Sequence, residues 1–201
     1  MSAITLVPHA VNAPEQPWNL PSRGRVAMYC LIIGESAIFV IFVVAYIYYI
    51  GRSLSGPTPK DVLEVPIFNT ICLFSSSFTI WLAERNLERN KIGWFGAWWA
   101  LTLALGAIFL VGTGFEWHHL IYDRGLTIST NLFGTTFYSL VGLHATHVLF
   151  GLIGLGTVLI FTVAGKVRQE HSERIQVLAL YWHFVDAIWV VVFTVVYILG
   201  R

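Results

Sequence analysis

Apolar residues in this chain come in long runs, separated by short polar links, with little periodic alternation inside each run. The first run, Val26–Ile50, holds one charged residue, Glu35, and is broken by Gly51 and the turn-forming Ser55-Gly56-Pro57. A second, roughly 65–83, ends in the charged stretch Glu84–Lys91, and a third covers roughly 92–115. Between Arg124 and Lys166 lie 41 residues without Asp, Glu, Lys or Arg. They fit one long helix, about 131–164, with its cap near Ser129-Thr130-Asn131. Two spans joined by a tight turn are the other possibility, although no proline or charge marks a turn. The last run, about 175–199, follows the polar link Lys166–Arg174 and carries Asp186 with His183 one turn before it. A membrane-spanning helix needs about 20 mostly apolar residues, and each run supplies them. The pattern predicts an all-α polytopic membrane protein, a bundle of five transmembrane helices over 26–201. Residues 1–25 form a polar tail containing Pro14, Pro17 and Pro21.

Composition agrees. Hydrophobic residues make up 56% and charged residues 11%, against about 25% charged in soluble domains, and the mean hydropathy is +0.70. The first run starts too late and is too long for a signal peptide. The net charge of +1 says little, and no basic stripe of the kind nucleic-acid binders carry is present. Cys30 and Cys72 both fall within apolar runs and read as small buried hydrophobes. Five spans put the termini on opposite sides. Eight basic residues (Arg23, Arg25, Arg85, Arg89, Lys91, Lys166, Arg168, Arg174) fall on the N-terminal side and four (Arg52, Lys60, Arg124, Arg201) on the other. The positive-inside rule then places the N-terminus in the cytoplasm.

A carboxylate in hydrocarbon costs roughly 2.5–3.5 kcal/mol or more, so Glu35 and Asp186 are the residues to explain. At 1.5 Å per residue Glu35 lies about 14 Å into its helix, and His183 and Asp186 roughly 12–17 Å into theirs, from the same face. The three sit at similar depth, and a hydrogen-bonded cluster of Glu35 with a histidine is expected. His144 and His147, at i and i+3 on the fourth helix, add two imidazoles near mid-membrane. Satisfied core histidines and a haem held between His147 and His183 are both open readings. Small and polar residues elsewhere, such as Asn69, Thr70 and Ser75–Ser77, read as helix-packing positions. At the outer end of the third helix, Glu116-Trp117-His118-His119 reads as an interfacial segment with Trp117 in the aromatic belt. Adjacent histidines point apart, so His118 and His119 make a poor metal pair. No nucleophile–base set, phosphate loop or dinucleotide fingerprint is present, and no catalytic or metal-ligating residue is assigned. Proton handling, ion transport and a structural role in a larger complex stay open on the residues alone.

Longer motifs go further. Tyr181-Trp182-His183-Phe184-Val185-Asp186 with Ile188-Trp189 and Tyr197 resembles the closing helix of the cytochrome c oxidase subunit III family. Gly142-Leu143-His144-Ala145-Thr146-His147 resembles the G-x-H-x-x-H of its penultimate helix. Asn69-Thr70 with the serines to Thr79 matches an earlier helix, and the Glu116 segment fits the stretch after the third. Gly34-Glu35-Ser36 resembles the helix with the family's buried glutamate, with Gly34 in place of the usual serine. The likeness runs from Val26 to Gly200 and implies the five-helix bacterial form, lacking the first two helices of longer members. It implies a subunit without redox centres, beside oxidase subunit I, which with its partners holds the haem and copper. Bound phospholipid, an oxygen route and support of proton uptake are implied, with Glu35 facing a lipid cleft and His144, His147, His183 and Asp186 bracing or adjoining it. A multi-pass place in the bacterial inner membrane and a respiratory supercomplex are further implications. The alternatives are a quinol-oxidase subunit III, a nitric-oxide-reductase accessory subunit, a haem-b anchor and a proton-coupled transporter.

Overall fold

The computed structural model describes residues 21–53 and 56–200; most of the polar tail, Leu54, Ser55 and Arg201 lie outside the described residues. Five helices are long and apolar enough to cross a membrane, and no strand occurs among the described residues. They are α1 (Arg23–Tyr49), α3 (Ile67–Glu88), α4 (Ile92–Tyr122), α5 (Leu132–Val163) and α6 (Ser172–Phe193), with a one-turn helix α2 (Pro59–Val62) between the first two. A 3₁₀ turn, Gln169–His171, leads into α6, and a π-helical stretch, Thr194–Leu199, continues it.

Local chemistry sets the ends. The Ser22 hydroxyl accepts a hydrogen bond from the Arg25 amide at 3.4 Å and caps α1. Asn131 caps α5 by accepting from the Gly134 amide at 2.8 Å. Asn90, at φ 57°, turns the chain between α3 and α4, a conformation asparagine tolerates better than most residues. The interval from Arg124 to Lys166 forms one span: α5 has 32 residues, about 48 Å of helix. α3 runs on to Glu88 and α4 to Tyr122, past where hydropathy alone would end them. Glu, Arg and Leu are good helix formers in water as in lipid, and Arg85 lies 3.9 Å over the Trp81 ring.

Helices α3, α4, α5 and α6 pack in a ring, each against the next, and α1 lies against the α5–α6 edge. Trp182 of α6 fills the middle. A Cβ at Gly106 of α4 would come within 2.7 Å of its ring, and one at Gly151 of α5 within 2.8 Å, so these glycines form the slot that admits it. Its indole N–H donates to Ser76 Oγ of α3 at 2.9 Å, which ties three helices to α6. Trp189 N–H donates to Thr70 Oγ1 at 3.2 Å, and Trp99 N–H to the Leu155 carbonyl at 2.9 Å. With these three indole donors paired, their large aromatic surfaces are buried without an unmet donor. On α1, by contrast, only Phe39 and Tyr46 are buried. Its outer face presents Ile33, Val40, Ile41 and Val44. Cys72 is buried as expected, but Cys30 is exposed, because it lies on a helix that is covered on one side only.

Candidate functional site

The five ionisable residues singled out above separate into two hydrogen-bonded groups and one isolated ring. Glu35 meets a histidine, but it is His147 of α5, with Oε2 and Nε2 3.1 Å apart. Phe39, one turn on from Glu35, packs its ring 4.9 Å from the same imidazole. His147 Nδ1 lies 2.8 Å from the Leu143 carbonyl oxygen. A carbonyl only accepts, so Nδ1 carries hydrogen and donates. Nε2 then shares one proton with Glu35 in either form: a carboxylic acid donating to a neutral ring, or a carboxylate accepting from an imidazolium. The pair is neutral overall both ways, which removes most of the cost of an acid in hydrocarbon. Tyr181 of α6 donates to the His147 carbonyl at 3.2 Å, fixing the backbone beneath the pair.

His183 and Asp186 do not reach Glu35. Equal depth placed all three at one level, but His183 and Asp186 face α3, where Ser77 stands between them. Ser77 Oγ lies 3.0 Å from His183 Nδ1 and is hydrogen-bonded to Asp186 Oδ2. Asp186 is only 5% exposed, and its Oδ1 has no hydrogen-bond partner among the described residues. Ser77 is the residue that sequence reasoning left among packing positions. Three consecutive serines give no sign of which one turns to α6; helix phase decides it.

His144, one turn before His147, belongs to neither group. It is 1% exposed and stacked on Trp189 with centroids 5.0 Å apart, with Phe109 edge-on at 5.9 Å. Neither ring nitrogen has a hydrogen-bond partner among the described residues. It acts as an aromatic wedge between α5 and α6.

The far end of α4 differs from expectation. Glu116–His119 are helical, so their side chains fan around α4 about 100° apart. Glu116 Oε1 accepts from the Tyr197 hydroxyl at 2.8 Å. Tyr197 lies in the π-helical stretch closing α6, and such widened turns re-aim side chains. Trp117 is half-buried and lies edge-on to Tyr138 of α5 at 5.4 Å. His118 packs on Tyr122 at 4.5 Å, whereas His119 faces Asp123 at 3.6 Å, so the tandem histidines have separate partners.

Compared with known proteins, the chain matches the family model described as cytochrome c oxidase subunit III over residues 25–201. It belongs to the cytochrome c oxidase subunit III family. Cytochrome c oxidase subunit 3 of Alkalihalophilus pseudofirmus is 36% identical over 192 residues, covering 93% of this chain and 93% of the relative. The Synechocystis protein of the same name is 39% identical over 188 residues, covering 89% and 77%. A probable cytochrome c oxidase subunit 3 of Nocardia farcinica is 32% identical over 198 residues, covering 98% and 94%. The chain is thus a multi-pass subunit III of a haem-copper oxidase, with other oxidase subunits as its partners, and its five helices fit the shorter form of the family.

Proposed function

We propose that this subunit III carries no redox centre and serves the oxidase by packing beside catalytic subunit I, where it stabilises that subunit and shapes its lipid, oxygen and proton surroundings. The observation that carries the reading is the half-covered α1. Its apolar outer face has no neighbour among the described residues, and the Glu35 side chain stays 28% exposed beside it. A face of that kind suits phospholipid or a partner subunit and keeps the proton-sharing pair at the boundary. The histidines support a non-redox role. Both ring nitrogens of His147 are engaged, so one of the two rings that would clamp a haem is committed elsewhere. Cytochrome c is the electron donor in this reading, after the relatives' names. The location is the bacterial plasma membrane with the N-terminus in the cytoplasm, from the excess of basic residues on that side. A respiratory supercomplex is a setting compatible with this reading.

The test is extraction of the native membrane in mild detergent by a tag on this chain, with a visible spectrum and mass spectrometry of the co-purifying proteins. The expected result is haem absorbance that stays with a large co-purifying subunit when this chain is stripped away, and oxidase activity with cytochrome c. A chain that keeps its own haem, or comes out alone, would overturn the reading.

A further inference from the structure

A groove of about 230 Å³ opens where α1 and α6 begin and α3 ends, lined by Arg25, Tyr29, Glu84, Gln176, Leu180 and His183. Its rim is polar and held in place. Arg25 Nη2 donates to Gln176 Oε1 at 2.6 Å, and Gln176 Nε2 donates to Glu88 Oε1 at 2.8 Å. Along α6 the lining residues descend Gln176, Leu180, His183, a distance of about 10 Å at 1.5 Å per residue. His183 is the floor. Beyond it the hydrogen bonds continue inward through Ser77 to Asp186, whose second carboxyl oxygen is buried and unpartnered among the described residues. Past Asp186 the same face of α6 offers Trp189, Val192 and Val196, all buried, and the next titratable pair along it, Tyr197 with Glu116, begins about 16 Å further on. A groove of this size with several polar partners has room for water.

We propose that the groove and the Ser77 hydroxyl make Asp186 a blind proton site, in exchange with water on the N-terminal face and closed to the other. The step balances with no outside reagent. With Asp186 ionised, His183 Nδ1–H donates to Ser77 Oγ and the Ser77 hydroxyl donates to Oδ2. Groove water gives a proton to Nε2 of a neutral ring, and both bonds reverse together: Nδ1 gives its proton to Oγ, and Oγ gives its own to Oδ2. An imidazole with hydrogen on Nδ1 and a carboxylate become an imidazole with hydrogen on Nε2 and a carboxylic acid. The reverse sequence, with the Nε2 proton returned to groove water, empties the site. The charged and titratable groups at the path are Arg25 and Tyr29 from α1 and Glu84 and Glu88 from α3; His144 and His147 of α5 are turned away, to Trp189 and Glu35. This goes beyond the oxidase reading, because it rests only on this chain's own helices.

Two measurements on the assembled oxidase test it. In a Cys30→Ala, Cys72→Ala background, Leu180→Cys is treated with a membrane-impermeant thiol reagent in vesicles of either orientation. Arg168→Cys marks the N-terminal face and Ser129→Cys the other. Leu180→Cys is expected to react from the Arg168 side alone; no reaction, or reaction from the Ser129 side, overturns the groove as a water entry. Infrared spectroscopy after a pH jump then tracks the Asp186 carboxyl band, assigned by its loss in Asp186→Asn. Ser77→Ala is expected to slow its rise by roughly a hundredfold at unchanged amplitude. An unchanged rate, or a band that does not respond to pH, overturns the relay.

Discussion

Glu35 and Asp186 are both acids within apolar helices, and each has a histidine within reach, yet their surroundings differ. Glu35 sits on a helix with two neighbours, its side chain 28% exposed, and shares a proton directly with His147. Asp186 sits inside the four-helix ring, 5% exposed, and meets its histidine only through Ser77. At the edge of a bundle one direct partner suffices, since lipid or another subunit completes the surroundings. In the core, space goes to Trp182 and Trp189, and the acid must borrow a donor from a different helix. Direct pairing fixes one shared proton, whereas a hydroxyl between acid and base can pass a proton on.

The contrast can be broken or sharpened by substitution. Trp182→Ala should cost the most, about 3–5 kcal/mol for a fully buried indole. It removes the wedge shared by α3, α4, α5 and α6, and both sites should loosen together. The check is the thermal midpoint in detergent, expected to fall by about 10 °C or more. Asp186→Ala should cost about 1–3 kcal/mol, because it breaks the hydrogen bond from Ser77 and leaves that hydroxyl with His183 alone. Glu35→Gln keeps a hydrogen bond to His147 Nε2 at a half-open site and should cost under about 1 kcal/mol; a loss equal to that of Asp186→Ala would dissolve the distinction between edge and core. The smallest expected effect is the coupling between the two sites. Glu35→Gln combined with Asp186→Asn should be additive within about 0.5 kcal/mol in chemical denaturation, because the two share no hydrogen-bond partner.

Much of the fold is legible in the sequence because lipid imposes length and hydropathy on each span. Where that constraint lapses, at the charged end of α3 and the last turns of α4, helix propensity carried the elements five and seven residues past the expected ends at 83 and 115. The sites were legible as residues and not as pairs. Counting along a helix gives depth, and depth put Glu35 level with His183; rotation about the axis, set by packing against neighbours, gave Glu35 to His147. The same rotation separates His144 from His147 although they are one turn apart. The groove at Arg25, Glu84 and Gln176 left no sequence signal, because it joins three helices at their ends.

The place of α1 has a consequence for biogenesis. Its partners are α5 and α6, which follow α3 and α4 in the chain, and Glu35 precedes His147 by 112 residues. At 5–20 residues per second, a ribosome needs roughly 6–20 s to cover that interval. α1 therefore carries its acid into the bilayer before the complementary base has been synthesised. During that time Glu35 is without the hydrogen-bond partner it has among the described residues, and its protonation is what lowers the cost of holding it in hydrocarbon.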